Sequence, residues 1–246
     1  MAPVEPSRGS RGSEFHVHIT GFGPFHKVPV NPSWEAVQRL HNTTLTKAPR
    51  PLDLTDTTPD SSPSSFRPIR ISSSLIPVRY SSVLSQIPQL HTTGFEGSSP
   101  NLIIHVGVGL EGKIRLEQRA RKWGYEKLDV DGQLGPLDEL ENKRGFKGEE
   151  WVEIEEELRT RIDGNRVVEC AKRRGIEEIE LSENAGLYLC EFTYYCSLGS
   201  ALKQNSGRPT PVQFIHVPPI SKPYSLEQLT SALEILVWSI VNEGGL

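Results

Sequence analysis

The chain has 246 residues and a formal net charge of −4. This length is sufficient for one sizeable α/β core and does not require two domains. Charges of both signs are interspersed, so no basic face indicates binding to nucleic acid. No apolar run reaches the ~18 residues that a membrane span requires, which argues against a membrane partner.

The cysteines and the N-terminus indicate the compartment. Cys170, Cys190 and Cys196 are irregularly spaced and form neither a disulfide framework nor a CxxC metal site. Residues 1–14 lack the apolar segment of a secretory signal and are expected to form a disordered tail. The sequence therefore predicts a soluble, cytoplasmic protein without metal or cofactor.

The first part of the chain begins with a strand and a helix. Phe15 to Thr20 alternates apolar and polar residues and predicts a strand that ends at a glycine turn. Asn31 and Pro32 predict a helix through about Leu40, because Asn is favoured at the N-cap and Pro at the first helical position. Residues 42–70 are rich in Thr, Ser and Pro, which predicts a long surface insertion.

The rest of the chain continues this alternation. The mostly apolar run from Leu102 to Val108 is typical of a strand buried on both faces. Residues 133–162 are charged and predict a solvated face with a helical stretch around Glu149 to Arg159. The other predicted elements are strands at Ile71 to Val78, Ile176 to Leu181 and Val212 to Val217, and helices at Tyr80 to Leu90, Asp163 to Arg174, Cys190 to about Lys203, and from the Ser225–Gln228 capping box to near Gly244.

Repeated strand–helix units of this kind predict the fold class. We expect an α/β fold with a three-layer αβα arrangement, in which helices cover both faces of an open, mostly parallel twisted sheet. Residues 15–246 are expected to form this single domain, interrupted by the insertion at about 42–70.

One glycine motif suggests a nucleotide site. Gly107, Gly109 and Gly112 form a literal GxGxxG after a predicted strand, with Asp129 and Asp131 at a plausible distance for a ribose contact. Such a loop normally opens an apolar-faced helix after the first strand of the fold. Here it follows the third predicted strand and continues into a charged stretch, which disfavours nucleotide binding.

A cysteine and a histidine are predicted at positions suited to nucleophilic catalysis. Cys190 lies at the predicted start of a helix, where the helix dipole and unpaired N–H groups favour the thiolate. His216 lies at the end of a predicted buried strand, and ligands bind at the carboxyl ends of strands in open α/β sheets. Covalent acyl transfer needs such a nucleophile and base, although a buried structural cysteine and a hydrogen-bonded core histidine would have the same spacing.

Five segments in order carry a family resemblance. They are TGFGPF at 20–25, NPS at 31–33, LE at 116–117 with GY at 124–125, SENAGLYLC at 182–190, and FIHVP at 214–218. This set resembles pyroglutamyl-peptidase I (pyrrolidone-carboxylate peptidase), a family of cysteine peptidases. The stretches after Cys190 and His216 look closest to the animal-type members. The resemblance covers roughly residues 15–235 and implies a fold of the phosphorylase/hydrolase type.

The resemblance implies a catalytic triad. Cys190 would be the nucleophile, His216 the acid and base, and Glu117 the residue that orients His216. On residue patterns alone, Glu117 would be interpreted as part of a surface ion-pair ladder with the neighbouring arginines. The implied activity is that of an omega-peptidase, which hydrolyses the amide bond after an N-terminal pyroglutamyl residue.

The resemblance also implies a substrate pocket. Pyroglutamate is a compact, uncharged lactam, so its pocket is expected to be apolar with a few polar partners. The matching positions are Phe22, Phe25, Tyr188 and Leu189. Two positions depart from the family pattern: Lys122 stands near a position where many members carry an amide, and Val108 stands where many bacterial members carry Gln.

Two alternatives remain open at this level. A non-catalytic protein could recognise pyroglutamyl peptides on the same scaffold, although the presence of Glu117, Cys190 and His216 argues against it. A nucleoside-phosphorylase-like transferase would need a basic phosphate site, and the sequence offers no convincing one. The expected partners are pyroglutamyl peptide substrates, and both a monomer and a homo-oligomer are compatible with the sequence.

Overall fold

The structure is a computed structural model that describes residues 14–25, 28–52, 66–204 and 208–246. Within those ranges the strands are β1 (Phe15–Phe22), β2 (Thr43–Leu45), β3 (Ile69–Ile76), β4 (Leu102–Val108), β5 (Ile114–Glu117), β6 (Arg119–Arg121), β7 (Leu137–Asp138), β8 (Lys143–Arg144), β9 (Glu157–Arg159), β10 (Ile179–Ser182) and β11 (Val212–Val217). The α-helices are α1 (Pro32–Val37), α2 (Tyr80–Thr92), α3 (Glu149–Val152), α4 (Gly164–Arg173), α5 (Leu189–Leu202) and α6 (Leu226–Asn242).

Seven of the strands in the described ranges form the central sheet, in the order β10-β5-β11-β4-β1-β3-β2. The pairs β3–β1, β1–β4, β4–β11 and β5–β10 are parallel. The pairs β5–β11 and β2–β3 are antiparallel. All residues of β1 and β11 are buried, as expected for strands covered on both faces.

Helices cover both faces of this sheet. Helices α1, α4 and α6 pack in one hydrophobic core, which includes Trp238 and Leu236. Helices α2 and α5 pack together over the other core, which includes Phe192 and Phe214. The predicted fold class, a single three-layer αβα domain with a mostly parallel sheet, is confirmed.

Helices α1 and α6 begin at the capping residues that the sequence predicted. The Asn31 side chain accepts a hydrogen bond from the Ser33 N–H at the start of α1, and a 3₁₀ turn continues to Leu40. Ser225 and Gln228 form the predicted capping box of α6. These side chains satisfy N–H groups that would otherwise lack partners at a helix start.

The prediction of a helix around Glu149 to Arg159 is wrong. Helix α3 ends at Val152, and Glu157–Arg159 is instead a strand that pairs antiparallel with Arg119–Arg121. The prediction of a solvated face also fails for Trp151 and Leu158, whose side chains are buried in the α5-side core. Tertiary packing of these two apolar side chains outweighs the helix propensity of the surrounding glutamates.

The segment predicted as an insertion is partly structured. Thr43–Leu45 forms the edge strand β2, and β3 begins at Ile69, two residues before the predicted strand start. Residues 53–65 of the insertion and 1–13 of the predicted tail lie outside the described residues. The helices within the described residues lack the combined length and apolar character that a membrane span needs.

Candidate active site

The nucleophile candidate lies at the start of α5. Cys190 is the second residue of this helix and is partly exposed. It is preceded by a tight turn in which Gly186 (φ 100°) and Leu187 (φ 46°) adopt the left-handed backbone conformation. The N-cap residue Tyr188 makes no side-chain hydrogen bond to the helix. First-turn N–H groups therefore remain available beside the thiol.

His216 lies near the carboxyl end of β11, opposite Gly107 of the parallel strand β4. A Cβ atom placed on Gly107 would lie 2.8 Å from the Cys190 Sγ atom. A Cβ atom placed on Gly109 would lie 2.9 Å from the Cβ atom of His216. The end of β4 therefore lies against both the thiol and the histidine, and glycine leaves the space that these side chains occupy.

Glu117 is the third member of this group. It is fully buried at the end of β5, and its Oε1 atom lies 2.8 Å from Nδ1 of His216. Its backbone carbonyl accepts hydrogen bonds from the Tyr194 hydroxyl and the Gln213 side-chain amide. The interpretation of Glu117 as a surface ion-pair residue is therefore wrong, although its neighbour Arg119 does pair with Glu157.

The surroundings of His216 favour the charged imidazolium. Burial alone lowers the pKa of His216, but interactions with Cys190 and with Glu117 outweigh burial and raise this pKa to about 9. These interactions favour the protonated ring at neutral pH. An imidazolium placed between a carboxylate and a thiol is suited to hold a thiolate as an ion pair.

The other two cysteines have surroundings that disfavour ionisation. Burial raises the pKa of Cys196 to about 12. Burial and the nearby Glu243 carboxylate also raise the pKa of Cys170. Both thiols are buried, whereas Cys190 is partly exposed and adjacent to a base.

The predicted pocket residues fall into two groups. Phe25 and Tyr188 are partly buried, and their ring centroids lie 6.5 Å apart. The Tyr188 hydroxyl donates to the Leu128 carbonyl. Phe22 and Leu189 are almost fully buried and belong to the hydrophobic core on the α5 side.

Phe214, which was not predicted from the sequence as a site residue, lies beside His216. Its ring centroid lies 4.9 Å from the His216 ring and 6.4 Å from the Phe22 ring. A Cβ atom on Gly107 would also come within 3.0 Å of the Phe214 ring. The strand period of two was a usable signal, because Phe214 and His216 are two residues apart and share one face of β11.

The two departures from the family pattern have structural explanations of different kinds. Lys122 is buried, and its ammonium donates to the carbonyls of Trp151 and Ile154. Those carbonyls supply the partners that a buried charge requires. Val108 is the last residue of β4 and pairs with Val217, so it contributes only an apolar side chain at this edge.

The GxGxxG motif does not open a helix. After β4, the loop from Gly107 to Gly112 leads into the strand β5, which carries Glu117. The confirming context of a dinucleotide site, a helix at the third glycine, is therefore missing. In the ranges that the structure describes, no group of three or more His, Cys, Asp or Glu side chains could hold a metal ion.

The chain is similar in sequence to known peptidases. The family model "Pyroglutamyl peptidase" matches residues 15–51. Pyroglutamyl-peptidase 1 of Homo sapiens is 34% identical over 225 residues, covering 90% of this chain and 87% of the human protein. Pyrrolidone-carboxylate peptidase of Bacillus subtilis is 27% identical over 206 residues, with 82% of this chain and 77% of that protein covered.

Solved structures share the fold. The crystal structure of pyroglutamyl peptidase I from Bacillus amyloliquefaciens has a TM-score of 0.71 and 24% identity, covering 93% of this chain and 97% of that chain. A mutant pyrrolidone carboxyl peptidase from Pyrococcus furiosus has a TM-score of 0.67 and 18% identity, covering 92% and 98% of the two chains. Together with the extent of the match to the human relative, these similarities show that the chain belongs to the pyroglutamyl-peptidase I family of cysteine peptidases.

Proposed function

We propose that this protein is a cysteine peptidase that hydrolyses the amide bond after an N-terminal pyroglutamyl residue and releases pyroglutamate. The observation that carries the proposal is the buried His216–Glu117 pair placed beside a partly exposed thiol at a helix start. The family to which the chain belongs supports the same activity.

Acylation begins with Cys190 as a thiolate and His216 as an imidazolium. The sulfur attacks the carbonyl carbon of the pyroglutamyl group and forms a tetrahedral oxyanion. His216 then transfers its proton to the departing nitrogen, and the C–N bond breaks. The products of this step are a thioester on Cys190 and a free amine, which is the shortened peptide.

Deacylation uses the now neutral His216 as a base. The imidazole takes a proton from water, and the hydroxide attacks the thioester carbon. The C–S bond breaks, pyroglutamic acid leaves, and the thiolate–imidazolium pair forms again. Glu117 fixes the ring through Nδ1 and stabilises its charged form in both steps.

The start of α5 supplies the groups that stabilise the oxyanion. Backbone N–H groups around Cys190 lie in the first turn, where helix N–H groups lack partners within the helix. Donors fixed at the point where negative charge develops lower the barrier more than flexible donors do. The positive end of the helix dipole acts in the same direction.

The pocket for the lactam ring is proposed to include Phe22, Phe25, Tyr188 and Leu189. Partly buried Phe25 and Tyr188 offer ring surface for contact with the substrate. The buried Phe22 and Leu189 support this surface from the core. An apolar enclosure suits a compact, uncharged lactam.

We also place the protein in a reducing compartment, the cytoplasm. All three cysteines are free, and a thiol nucleophile works only when reduced. We further propose that residues 15–246 act as one peptidase domain.

A fluorogenic pyroglutamyl amide provides the test. The protein should release the fluorophore, and prior treatment with iodoacetamide should abolish release. Cys190→Ala should bind the same amide without turnover. Absence of turnover by the folded, reduced wild-type protein would refute the peptidase and favour the alternative, a protein that binds pyroglutamyl peptides without cleaving them.

A further inference from the structure

A buried carboxylate lies next to the nucleophile and has no part in the mechanism above. Glu191 follows Cys190 in α5, and its side chain is only 1% exposed. A buried ionised carboxylate is costly unless it is paired and fully hydrogen-bonded. The partners of this carboxylate therefore indicate what it does.

Arg121 of strand β6 supplies most of those partners. Its Nε atom lies 2.6 Å from Glu191 Oε1, and its terminal nitrogen lies 2.8 Å from Oε2. This two-pronged contact is the strong geometry for an arginine–carboxylate pair. The backbone N–H of Arg121 also donates to Oε1, at 3.1 Å. The hydrogen bond with Glu191 raises the pKa of Arg121, which stays charged.

The same pair holds the segment that precedes Cys190, residues 184–188, which we call the nucleophile turn. The Leu187 N–H donates to Glu191 Oε2 at 2.8 Å. Arg121 also donates to the Asn184 side-chain oxygen at 2.6 Å, and that oxygen accepts from the Gly186 N–H. Both ends of the turn are therefore tied to one guanidinium–carboxylate pair.

This turn needs such support. Leu187 has φ 46°, a left-handed conformation that costs a non-glycine residue free energy. The hydrogen bond from its N–H to Glu191 compensates for that cost. Loss of the bond would allow the turn to relax and would shift the first turn of α5, which carries the Cys190 thiol and its neighbouring N–H groups.

We propose that Arg121 and Glu191 are positioning residues, which hold the nucleophile turn so that Cys190 and the adjacent N–H groups keep their reactive geometry. This inference rests on the proposed peptidase function. Neither residue touches the reacting atoms in this proposal, and their effect passes through the backbone from 184 to 190.

The principal variants are Glu191→Gln and Arg121→Gln. Each breaks the charge pair; Glu191→Gln keeps the side-chain volume, whereas Arg121→Gln also shortens the side chain. We expect kcat on a fluorogenic pyroglutamyl amide to fall about 100-fold, the loss typical of a misplaced reacting group, with KM changed by less than about threefold. The rate of Cys190 alkylation by iodoacetamide should fall too. Arg121→Lys keeps the charge and one donor, and should recover part of both rates.

A matched control lies on the other side of the molecule. Arg174 and Glu243 also form a half-buried arginine–carboxylate pair, with N–O distances of 3.0 and 2.6 Å, away from the nucleophile turn. Arg174→Gln and Glu243→Gln should lower the thermal midpoint without changing kcat, KM or the alkylation rate of Cys190. Asn184→Ala, a milder and exposed change, tests the outer hydrogen bond in a variant expected to fold.

The alkylation arm separates this inference from the peptidase proposal, because it needs no substrate turnover. If wild-type protein releases no fluorophore, the peptidase proposal fails, and the alkylation rates still test the positioning role. The positioning role is overturned if folded Glu191→Gln and Arg121→Gln proteins alkylate Cys190 at the wild-type rate. It is equally overturned if the Arg174 and Glu243 controls lose as much kcat. If the two Gln variants do not fold, wild-type rates in both Arg121→Lys and Asn184→Ala overturn it.

Discussion

His216 Nδ1 lies 2.8 Å from Glu117 Oε1, and both side chains are buried. The two residues are 99 positions apart in the chain and meet because β11 and β5 pair antiparallel in an otherwise mostly parallel sheet. Strand β5 is reached through the glycine loop that resembles a dinucleotide motif. That loop therefore leads to the strand that places a carboxylate against the histidine.

The first prediction concerns the reactive thiol. Iodoacetamide at neutral pH should modify Cys190 much faster than Cys170 or Cys196, because Cys190 is partly exposed beside an imidazolium. The other two thiols are buried, and their pKa values are raised. Peptide mapping of partially labelled protein measures the three rates. Preferential labelling of Cys170 or Cys196 with full remaining activity would contradict the assignment of Cys190.

The second prediction separates His216 from Glu117. His216→Ala removes the acid and base and should lower kcat by about 1,000-fold or more. Glu117→Gln should leave the fold intact and lower kcat by about 100-fold with little change in KM, because Glu117 acts on the charged imidazole. Steady-state kinetics measure both effects. Glu157→Gln, which removes a partly exposed partner of Arg119, is the control and should be silent. Wild-type activity in Glu117→Gln would remove Glu117 from the triad.

The third prediction concerns specificity. Pyroglutamyl amides should be cleaved, whereas glutaminyl and prolyl amides should be poor substrates. Both bring a cationic nitrogen that an apolar pocket would bury without a partner, at a cost of several kcal/mol, and prolyl also lacks the lactam oxygen. Values of kcat/KM for the three amides of one reporter provide the measurement. Similar values for all three would reduce the assignment to an unspecific cysteine hydrolase.

Replacement of the two pocket phenylalanines should give different results, and this is the fourth prediction. Phe25→Ala should mainly raise KM, because the partly buried ring is proposed to contact the substrate in ground and transition states alike. Phe22→Ala should also destabilise the fold by about 3 kcal/mol, since that ring is almost fully buried. Kinetics combined with urea unfolding separate the two effects. Equal stability losses in both variants would argue against this division.

The fifth prediction concerns the stability of the fold at acidic pH. Burial lowers the pKa of His18 to about 3, of His91 to about 4, and of His105 well below its ordinary value. These rings stay neutral in the fold but gain protons near pH 6.5 when the chain unfolds. Their contribution to stability is thus complete above about pH 6.5 and is lost as the pH falls towards 4. Each should remove about 1.4 kcal/mol of unfolding free energy per pH unit in that window.

Urea unfolding at several pH values between 7.5 and 4.5 measures this loss. His91→Gln removes one of the three rings and should make the pH dependence shallower, whatever its effect on stability at pH 7.5. His91 Nε2 forms a hydrogen bond with the Ser197 hydroxyl, and a glutamine amide can replace that contact. An unfolding free energy that is constant from pH 7.5 to 4.5 would contradict the prediction.

The sequence was informative where local chemistry decides the structure. The starts of the helices at Asn31 and Ser225 were predicted from their capping side chains. Strand β4 was predicted from a mostly apolar run, and β11 from a stretch typical of a buried strand that ends at two prolines. The prediction of a helix around Glu149 to Arg159 was wrong because glutamates favour a helix locally. The burial of Trp151 and Leu158 depends instead on contacts with residues distant in sequence.

The amino-acid sequence by itself determined the α/β class, the family, and the candidate nucleophile and base, because local patterns and ordered motifs indicate each of them. Only the tertiary structure decided that Glu117 is buried against His216 and that Gly107 makes room for the Cys190 thiol. It also decided that Arg121 and Glu191 pair with each other and bond the turn that precedes Cys190. These relationships join strands and helices far apart in the chain, and a side chain's partner across a sheet depends on which distant strands become neighbours.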